Sequence, residues 1–190
     1  ELLEREQDLL AHFHRLVRRR LVATAIRCHG DYHLGQALVT GADVAIIDFE
    51  GEPICPLAER RLKRPPLRDV ASMLRSFAYA ADAGQWEQTE DEIEPGEVVR
   101  AELESPARNW QLWTSAAFLR EYLDAVDPQL IPSSREDLTV LIDVFLLEKA
   151  VYQLGHELRT RPSWVGIPLR GLRHLLAAPH PARDRLDARV

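Results

Sequence analysis

The sequence predicts a mainly α-helical fold that carries one small β-hairpin. Long stretches place apolar residues at helical spacing with charges between them. Two short apolar runs, 37–40 and 44–47, flank a turn at 40–43 that contains glycine and aspartate. At 190 residues and 46% hydrophobic residues, the chain is large enough to bury a core and falls in the size range of a single domain. We therefore expect residues 1–190 to form one compact unit.

The remaining elements follow the hydrophobic periodicity. Ser134, with Asp137 three residues later, resembles a weak capping box at the start of a helix, and Arg161-Pro162 should end that helix. Prolines in 49–66 favour an exposed connector, and the glutamates of 84–106 favour a solvated loop or a frayed helix. The expected helices are an amphipathic one over 1–19, then 68–82, 107–125, 135–160 and a short one over 169–177.

Composition narrows the class of function. The net charge of -6 and the pI near 5.7 argue against a general nucleic-acid binder, which needs a basic surface. No apolar run approaches 18 residues, and no signal peptide is evident, so we expect no membrane partner. Two cysteines, Cys28 and Cys55, do not form a disulfide framework. The expected location is the reducing cytoplasm.

Two acidic motifs lie close together, HGDYHLGQ at 29–36 and IIDFEGEP at 46–53. Phosphoryl transfer needs a base that orients the attacking hydroxyl and oxygen ligands for magnesium. In protein kinases these groups are a loop Asp, an Asn five residues later, and a second Asp beyond a hairpin. Asp31, Gln36 and Asp48 fall at that spacing. The amide of Gln36 is one methylene longer than Asn but offers the same oxygen.

The flanking residues favour the same interpretation. Gly30 keeps the loop compact, His29 precedes the candidate base, and Ile46-Ile47 should form a buried strand that fixes Asp48. Each residue also has a plain structural explanation: Asp31 as a turn residue, Asp48 as a cap at the strand end, and His33 as a packed core histidine. For His33 the structural explanation is the favoured one.

These motifs resemble the aminoglycoside phosphotransferase-like small-molecule kinases, and within them the bacterial maltokinase family, including the form fused behind trehalose synthase. The resemblance continues through PLAERRLKRPPLRDVASMLRSFAYAA and LEKAVYQLGHELRTRPSWVGIPL, so it covers most of residues 26–175. It implies that the chain is the C-terminal lobe of a protein kinase-like fold, with catalytic and metal loops at 27–53 and an acidic variable segment at 84–106. The implied reaction is the ATP-dependent, Mg²⁺-dependent phosphorylation of maltose to maltose 1-phosphate.

The resemblance also implies roles for individual residues. Asp31 would be the catalytic base, and Gln36 and Asp48 would bind Mg²⁺. Glu50 is equally a ligand of a second ion and a plain surface carboxylate. His29 would brace the loop. A further structural residue is Asp69, which we expect to cap a helix starting near Val70 or, less favoured, to order Arg60 or Arg61.

A sugar site is expected in the helical part 135–168, because sugars bind to carboxylates, amides and aromatic faces. Glu148, Tyr152 and His156 repeat every four residues and share a helix face, and Trp164 follows the helix end. In the resembling family this segment forms the sugar-binding wall. Gln153 and His156 depart from the Glu and Tyr that are commoner there, which makes the sugar preference less secure than the reaction class. Ordinary packing is the alternative for Tyr152 and Trp164.

A kinase of this type also needs a nucleotide-binding N-terminal lobe with a lysine on a strand. The residues before Asp31 contain no lysine and read as a helix, while Lys63 and Lys149 come too late in the chain. We therefore expect the N-terminal lobe to be absent from this chain and the fragment to be inactive alone. The expected partners are maltose or a related sugar, the missing lobe and, as the resemblance implies, a fused trehalose synthase.

Three other functions stay open at this point. A glucosamine or aminoglycoside kinase would use the same catalytic triplet on an amino sugar. His29-x-Asp31-x-His33 could begin a metallohydrolase site, although the other histidines form no HxxH or HExxH group. Third, the domain could be a non-catalytic docking module of a trehalose synthase fusion; the intact Asp31, Gln36 and Asp48 argue against it.

Overall fold

The computed structural model describes residues 7, 10, 14, 23–90 and 97–177, with side chains described at 7, 10, 14, 23–84 and 106–176. Gln7, Leu10 and His14 are helical, and the rest of the helix expected over 1–19 lies outside the described residues. No helix of the described part combines the length and the apolar character that a membrane crossing requires.

The described chain is mainly α-helical with one two-stranded antiparallel sheet, which confirms the predicted fold class. Short 3₁₀ turns lie at Leu34–Gln36, Pro128–Leu130 and Pro162–Trp164. The strands and helices are β1 (Ala37–Val39), β2 (Val44–Ile46), α1 (Leu57–Arg60), α2 (Leu67–Glu90), α3 (Glu97–Ala125), α4 (Arg135–Thr160) and α5 (Gly166–Ala177).

The hairpin forms where the sequence predicts it. Ala37 pairs with Ile46 and Val39 with Val44, and Gly41 takes a φ of 82° in the turn. The strand that was expected to be buried at Ile46-Ile47 is instead exposed, with 43% and 39% of these residues accessible. The expectation was wrong because no third strand or helix of the described residues covers this ribbon.

The core lies between the long helices. α2 packs against both α3 and α4, and α5 closes the far side of α4. Helix α4 buries mainly one face, as its periodicity predicts, whereas α2 is buried on every side from Val70 to Arg75. The largest fully buried side chains are Leu67, Ile142, Leu146, Leu147, Ile167, Pro168 and Leu172.

Helix α4 has the bounds that the sequence predicts. The hydroxyl of Ser134 accepts a hydrogen bond from the backbone N–H of Asp137 at 3.4 Å, and the helix ends at Thr160 before Arg161-Pro162. A defined start and end fix the rotation of this helix, which decides the side chains that it directs toward the motif loops.

Elsewhere the helices are longer than the sequence suggests. α2 continues to Glu90 and α3 begins at Glu97, so helix occupies much of the acidic segment 84–106, of which residues 91–96 lie outside the described residues. Of the two expected alternatives, a solvated loop and a frayed helix, the described residues form helix, since glutamate is a good helix former. α3 also includes Pro106. The connector 49–66 contains the one-turn helix α1, and α5 starts at Gly166 rather than Leu169.

Candidate active site

The loop that carries Asp31 is held by a carboxylate from α2. One oxygen of Asp69 accepts the backbone N–H of His29 at 2.7 Å, and the other accepts that of Gly30 at 3.0 Å. Asp69 is the third residue of α2, so the expectation that it caps a helix starting near Val70 was wrong. The helix begins two residues earlier than Asp69, and the carboxylate is therefore directed at the loop. Arg60 bonds to the carbonyls of Pro53 and Cys55 instead.

His29 ties this loop to the exit of β2. Its Nε2 lies 2.7 Å from the carbonyl oxygen of Ile47, and its Nδ1 accepts the N–H of Asp31 at 3.3 Å. A carbonyl can only accept, so Nε2 must carry the proton. The ring is buried against Phe49 and Tyr32. His29 therefore holds the two motif loops at a fixed separation.

Asp31 is largely buried, with 13% of its side chain exposed. Its Oδ1 lies 3.1 Å from Nζ of Lys149, and its Oδ2 lies 3.7 Å from Nε2 of His33. Burial alone would raise the pKa of Asp31. The neighbouring His33 imidazole and the positive charge of Lys149 outweigh it and lower the pKa to about 2. Asp31 is thus ionised at every pH near neutrality.

Lys149 is the residue that the sequence analysis missed. Its ammonium bridges Asp31 and Glu52, the latter at 2.8 Å, and lies 4.7 Å from the centre of the Tyr152 ring. Glu52 is 9% exposed and lies near the hydroxyl of Tyr152. Burial, followed by the neighbouring Glu52 carboxylate, raises the pKa of Tyr152. We call Asp31, Glu52, Lys149 and Tyr152 the Lys149 cluster.

A signal for Lys149 was present in the sequence. It is one of only two lysines in the chain and lies three residues before Tyr152, on the helix segment expected to face a sugar. Its late position in the chain excludes the role of a strand-borne nucleotide-binding lysine but not a role in the sugar site. Glu52, in the same motif as Asp48 and Glu50, had no separate signal.

His33 is not the packed core histidine that the sequence favoured, because 37% of its side chain is exposed. Its Nδ1 accepts the N–H of Gly35 at 3.1 Å, which also caps the 3₁₀ turn that follows. Its Nε2 faces Oδ2 of Asp31 and lies 3.5 Å from Nε2 of Gln36. His33 therefore lies between the candidate base and the candidate metal ligands.

Gln36 and Asp48 are neighbours across the end of the hairpin. The amide nitrogen of Gln36 donates to Oδ2 of Asp48 at 3.0 Å. Asp48 has a left-handed φ of 64°, a strained backbone conformation for a residue with a side chain. Mg²⁺ is commonly held by one or two protein oxygens together with substrate phosphates. An exposed carboxylate beside an amide fits that donor set.

The other expected metal ligand has no such neighbour. Glu50 is exposed two residues beyond Asp48. Among the described residues, no group of three or more His, Cys, Asp or Glu side chains is arranged to hold a metal ion. The described residues therefore contain no complete metal site built only from these side chains. The roles of Gln36, Asp48 and Glu50 as metal ligands stay predictions.

The structure places the expected sugar-wall residues in two groups. Tyr152 belongs to the Lys149 cluster, and its ring stacks near that of His156 with centroids 6.3 Å apart. Glu148 is exposed and forms an ion pair with Arg68 of α2 at 3.0 Å. Tyr152 is thus part of the cluster, and Glu148 and His156 lie one helical turn before and after it on α4.

Trp164 lies in a different cluster. Its ring stacks on Tyr79 at 6.4 Å and under the guanidinium of Arg161 at 4.6 Å. Tyr79 donates to the buried carboxylate of Glu157 at 2.8 Å, and Arg161 pairs with the same carboxylate at 2.7 Å. These contacts fasten the end of α4 to α2. Packing, the alternative stated for Trp164, accounts for its position.

No protein-family model matches the chain. Among curated proteins, the glucosamine kinase of Streptacidiphilus jiangxiensis is 29% identical over 153 residues, which cover 80% of this chain and 32% of that protein. The glucosamine kinase of Mycolicibacterium smegmatis is 46% identical over 54 residues, covering 28% of this chain and 13% of that protein. The chain thus spans about a third of the length of the first of these relatives.

Solved structures of glucosamine kinase share the fold. One crystal form superposes with a TM-score of 0.70 at 24% identity, over 97% of this chain and 42% of that one. A second crystal form gives 0.60 at 26% identity, over 79% and 33%. A glucosamine kinase in complex with glucosamine, ADP and inorganic phosphate gives 0.55 at 24% identity, over 83% and 36%. The chain therefore has the fold of part of a glucosamine kinase.

Proposed function

We propose that the complete protein is an ATP-dependent sugar kinase and that these 190 residues form the C-terminal lobe of its kinase-like fold. The observation that carries the proposal is the line of polar side chains that runs from Asp48 through Gln36 and His33 to Asp31 and Lys149. The fold shared with glucosamine kinases supports it independently.

In the proposed reaction an acceptor hydroxyl attacks the γ-phosphorus of ATP, the bond to the bridging oxygen breaks, and ADP leaves. Asp31 orients the hydroxyl and receives its proton. Because the pKa of Asp31 is about 2, the carboxylate is a weak base. It takes the proton only after bond formation has made the hydroxyl acidic, so its main contribution is orientation.

Gln36 and Asp48 are the residues that would hold Mg²⁺, with Glu50 as a candidate for a second ion. When bound, the ion would neutralise the phosphate charge of the nucleotide. The exposed hairpin lies beside this pair, and we propose that the separate nucleotide-binding lobe approaches the site from there.

The cysteines Cys28 and Cys55 are both free thiols, consistent with the cytoplasmic location that we propose.

We propose glucosamine or a closely related amino sugar as the acceptor. The curated relatives are glucosamine kinases, and one solved relative is a complex with glucosamine and ADP. Maltose, the acceptor that the sequence resemblance implies, is the second candidate. Tyr152 and His156 offer adjacent ring faces on which either sugar could stack. A fused trehalose synthase is a further proposal tied to the maltose alternative.

The test is an ADP-release assay on the complete protein with Mg²⁺-ATP and four acceptors: glucosamine, glucose, maltose and kanamycin. We expect the highest kcat/KM for glucosamine. Asp31→Asn should lower kcat by about a hundredfold or more, with sugar binding largely kept. Near-native turnover by this variant, or no acceptor-dependent ADP release by the native protein, would refute the proposal.

A further inference from the structure

Lys149 places a buried positive charge next to the candidate base. Its ammonium contacts Oδ1 of Asp31 at 3.1 Å and Oε2 of Glu52 at 2.8 Å, with 16% of the side chain exposed. We propose that Lys149 is a specificity-determining residue that weakens the preference of the site for a protonated amino sugar over a neutral sugar. This inference rests on the proposed function and concerns the same site.

The carboxylates that could bind a substrate ammonium already have an internal partner. A carboxylate beside the acceptor is the natural partner for a substrate ammonium. Glu52 already pairs with Lys149, and Asp31 already pairs with Lys149 with His33 close by. An incoming ammonium must therefore compete with an internal one for both carboxylates.

The hydrogen bonds that Lys149 can offer also favour a neutral substituent on the sugar. A lysine ammonium has three N–H donors and no acceptor. Asp31 and Glu52 take two of them, and the ammonium also lies over the Tyr152 ring. The remaining N–H can donate to a sugar hydroxyl, because a hydroxyl oxygen accepts. A protonated amine cannot accept, so Lys149 favours a neutral substituent.

The net charge of the Lys149 cluster also bears on the substrate preference. Asp31 and Glu52 together carry two negative charges against the single positive charge of Lys149, while Glu148 is matched by Arg68. The cluster keeps a net negative charge, so an amino sugar is admitted but not favoured as strongly as two free carboxylates would favour it. Burial makes each of these charges count more than it would at the surface.

Lys149 also has limited freedom to move away. It belongs to the middle of α4, between Glu148, which is held by Arg68, and the fully buried Ala150. The rigid helix fixes its Cα, and only the side chain can withdraw. A substrate cation that displaces Lys149 must therefore replace both of its ion pairs, with Asp31 and with Glu52.

The test compares the complete native protein with Lys149→Met, a neutral side chain of similar length. We would measure kcat/KM for glucosamine and for glucose, which differ only at one ring position, at pH 6 and at pH 9. We expect the glucosamine-to-glucose ratio to rise about tenfold or more in Lys149→Met at pH 6. The rise should shrink at pH 9, where the substrate amine loses its proton. Lys63→Met, which removes an exposed lysine, is the matched control and should leave the ratio unchanged.

Glu52→Gln provides the opposite change. It removes a negative charge and keeps Lys149, so the glucosamine-to-glucose ratio should fall at pH 6. If Lys149→Met turns over too slowly to assay, calorimetric titration of both sugars into the folded variant gives the ratio of their Kd values, which should shift in the same direction. A loss of affinity that is equal for the two sugars and independent of pH would overturn the inference. Absence of turnover by the native protein would instead refute the proposed function.

Discussion

The ammonium of Lys149 lies 3.1 Å from the carboxylate of Asp31, although the two residues are 118 positions apart in the sequence. The contact joins the first motif loop to the middle of α4. Both side chains are mostly buried, at 16% and 13% exposure. The candidate base therefore acquires its charge environment only when the whole helical core has assembled.

The ion pair makes stability depend on pH through Asp31. Its pKa is lowered from 3.8 to about 2, so its stabilising contribution is complete above about pH 4 and is lost as the pH falls toward about 2. We expect Asp31→Asn to be less stable than the native protein at pH 6, with a difference that narrows between pH 4 and pH 2. Urea unfolding of both proteins over this range measures it. A difference that is the same at pH 6 and at the acid end would contradict the ion pair.

Local spacing is the part of the site that the sequence could predict. Asp31, Gln36 and Asp48 lie within one short stretch, and the hairpin between them brings them close without help from the rest of the chain. Contacts between distant segments were not predictable in this way. Glu52 meets Lys149 across 97 positions, and nothing in either local pattern encodes that distance.

The same distinction applies to the fold. Helix α4 was predicted at its observed bounds because its periodicity and its Ser134 cap are local signals. The extensions of α2 and α3 were missed because a run of glutamates is compatible with both a solvated loop and a helix. Exposure of the hairpin was also missed, since a short apolar run does not reveal whether a partner covers it.

Asp69 should control the position of Asp31 without touching it. Asp69→Asn keeps one acceptor oxygen but turns an N–H₂ group toward the backbone N–H of either His29 or Gly30, which are held at 2.7 and 3.0 Å. We expect a loss of about 1 to 3 kcal/mol in unfolding free energy. In the complete protein kcat should fall more than KM rises. Glu59→Gln, an exposed carboxylate on α1, is the control; equal effects of the two variants would refute this role.

Gly30 and Gly41 form a matched pair for testing strain in the motif loop. Both have a left-handed φ, of 87° and 82°, so Ala at either costs about 1 to 2 kcal/mol. A Cβ at Gly30 would also lie 3.2 Å from the backbone Cα of Gly51, whereas a Cβ at Gly41 meets nothing within 4 Å. We expect Gly30→Ala to lower the melting temperature more than Gly41→Ala. Equal losses would show that the close approach of the two loops relaxes easily.

Arg75 presents a buried charge with a neutral partner. Its Nε and Nη2 donate to the same oxygen of Gln153, at 3.2 and 2.9 Å, and 3% of the residue is exposed. Burial lowers the pKa of Arg75 to about 10, against the opposing charge of Asp82, so the guanidinium is still positive at neutral pH.

Gln153→Glu should therefore stabilise the protein. The change keeps the shape of the side chain, turns two neutral hydrogen bonds into charge-assisted ones, and adds a countercharge for Arg75. We expect a gain of about 1 kcal/mol, or roughly 2 to 4 °C in melting temperature at pH 7. The new carboxyl should have a lowered pKa, so the gain should disappear as the pH falls below about 4. Gln153→Leu, which removes the acceptor, should destabilise by about 2 kcal/mol or more. A neutral or negative effect of Gln153→Glu at pH 7 would mean that dehydrating the added carboxylate costs more than its pairing with Arg75 returns.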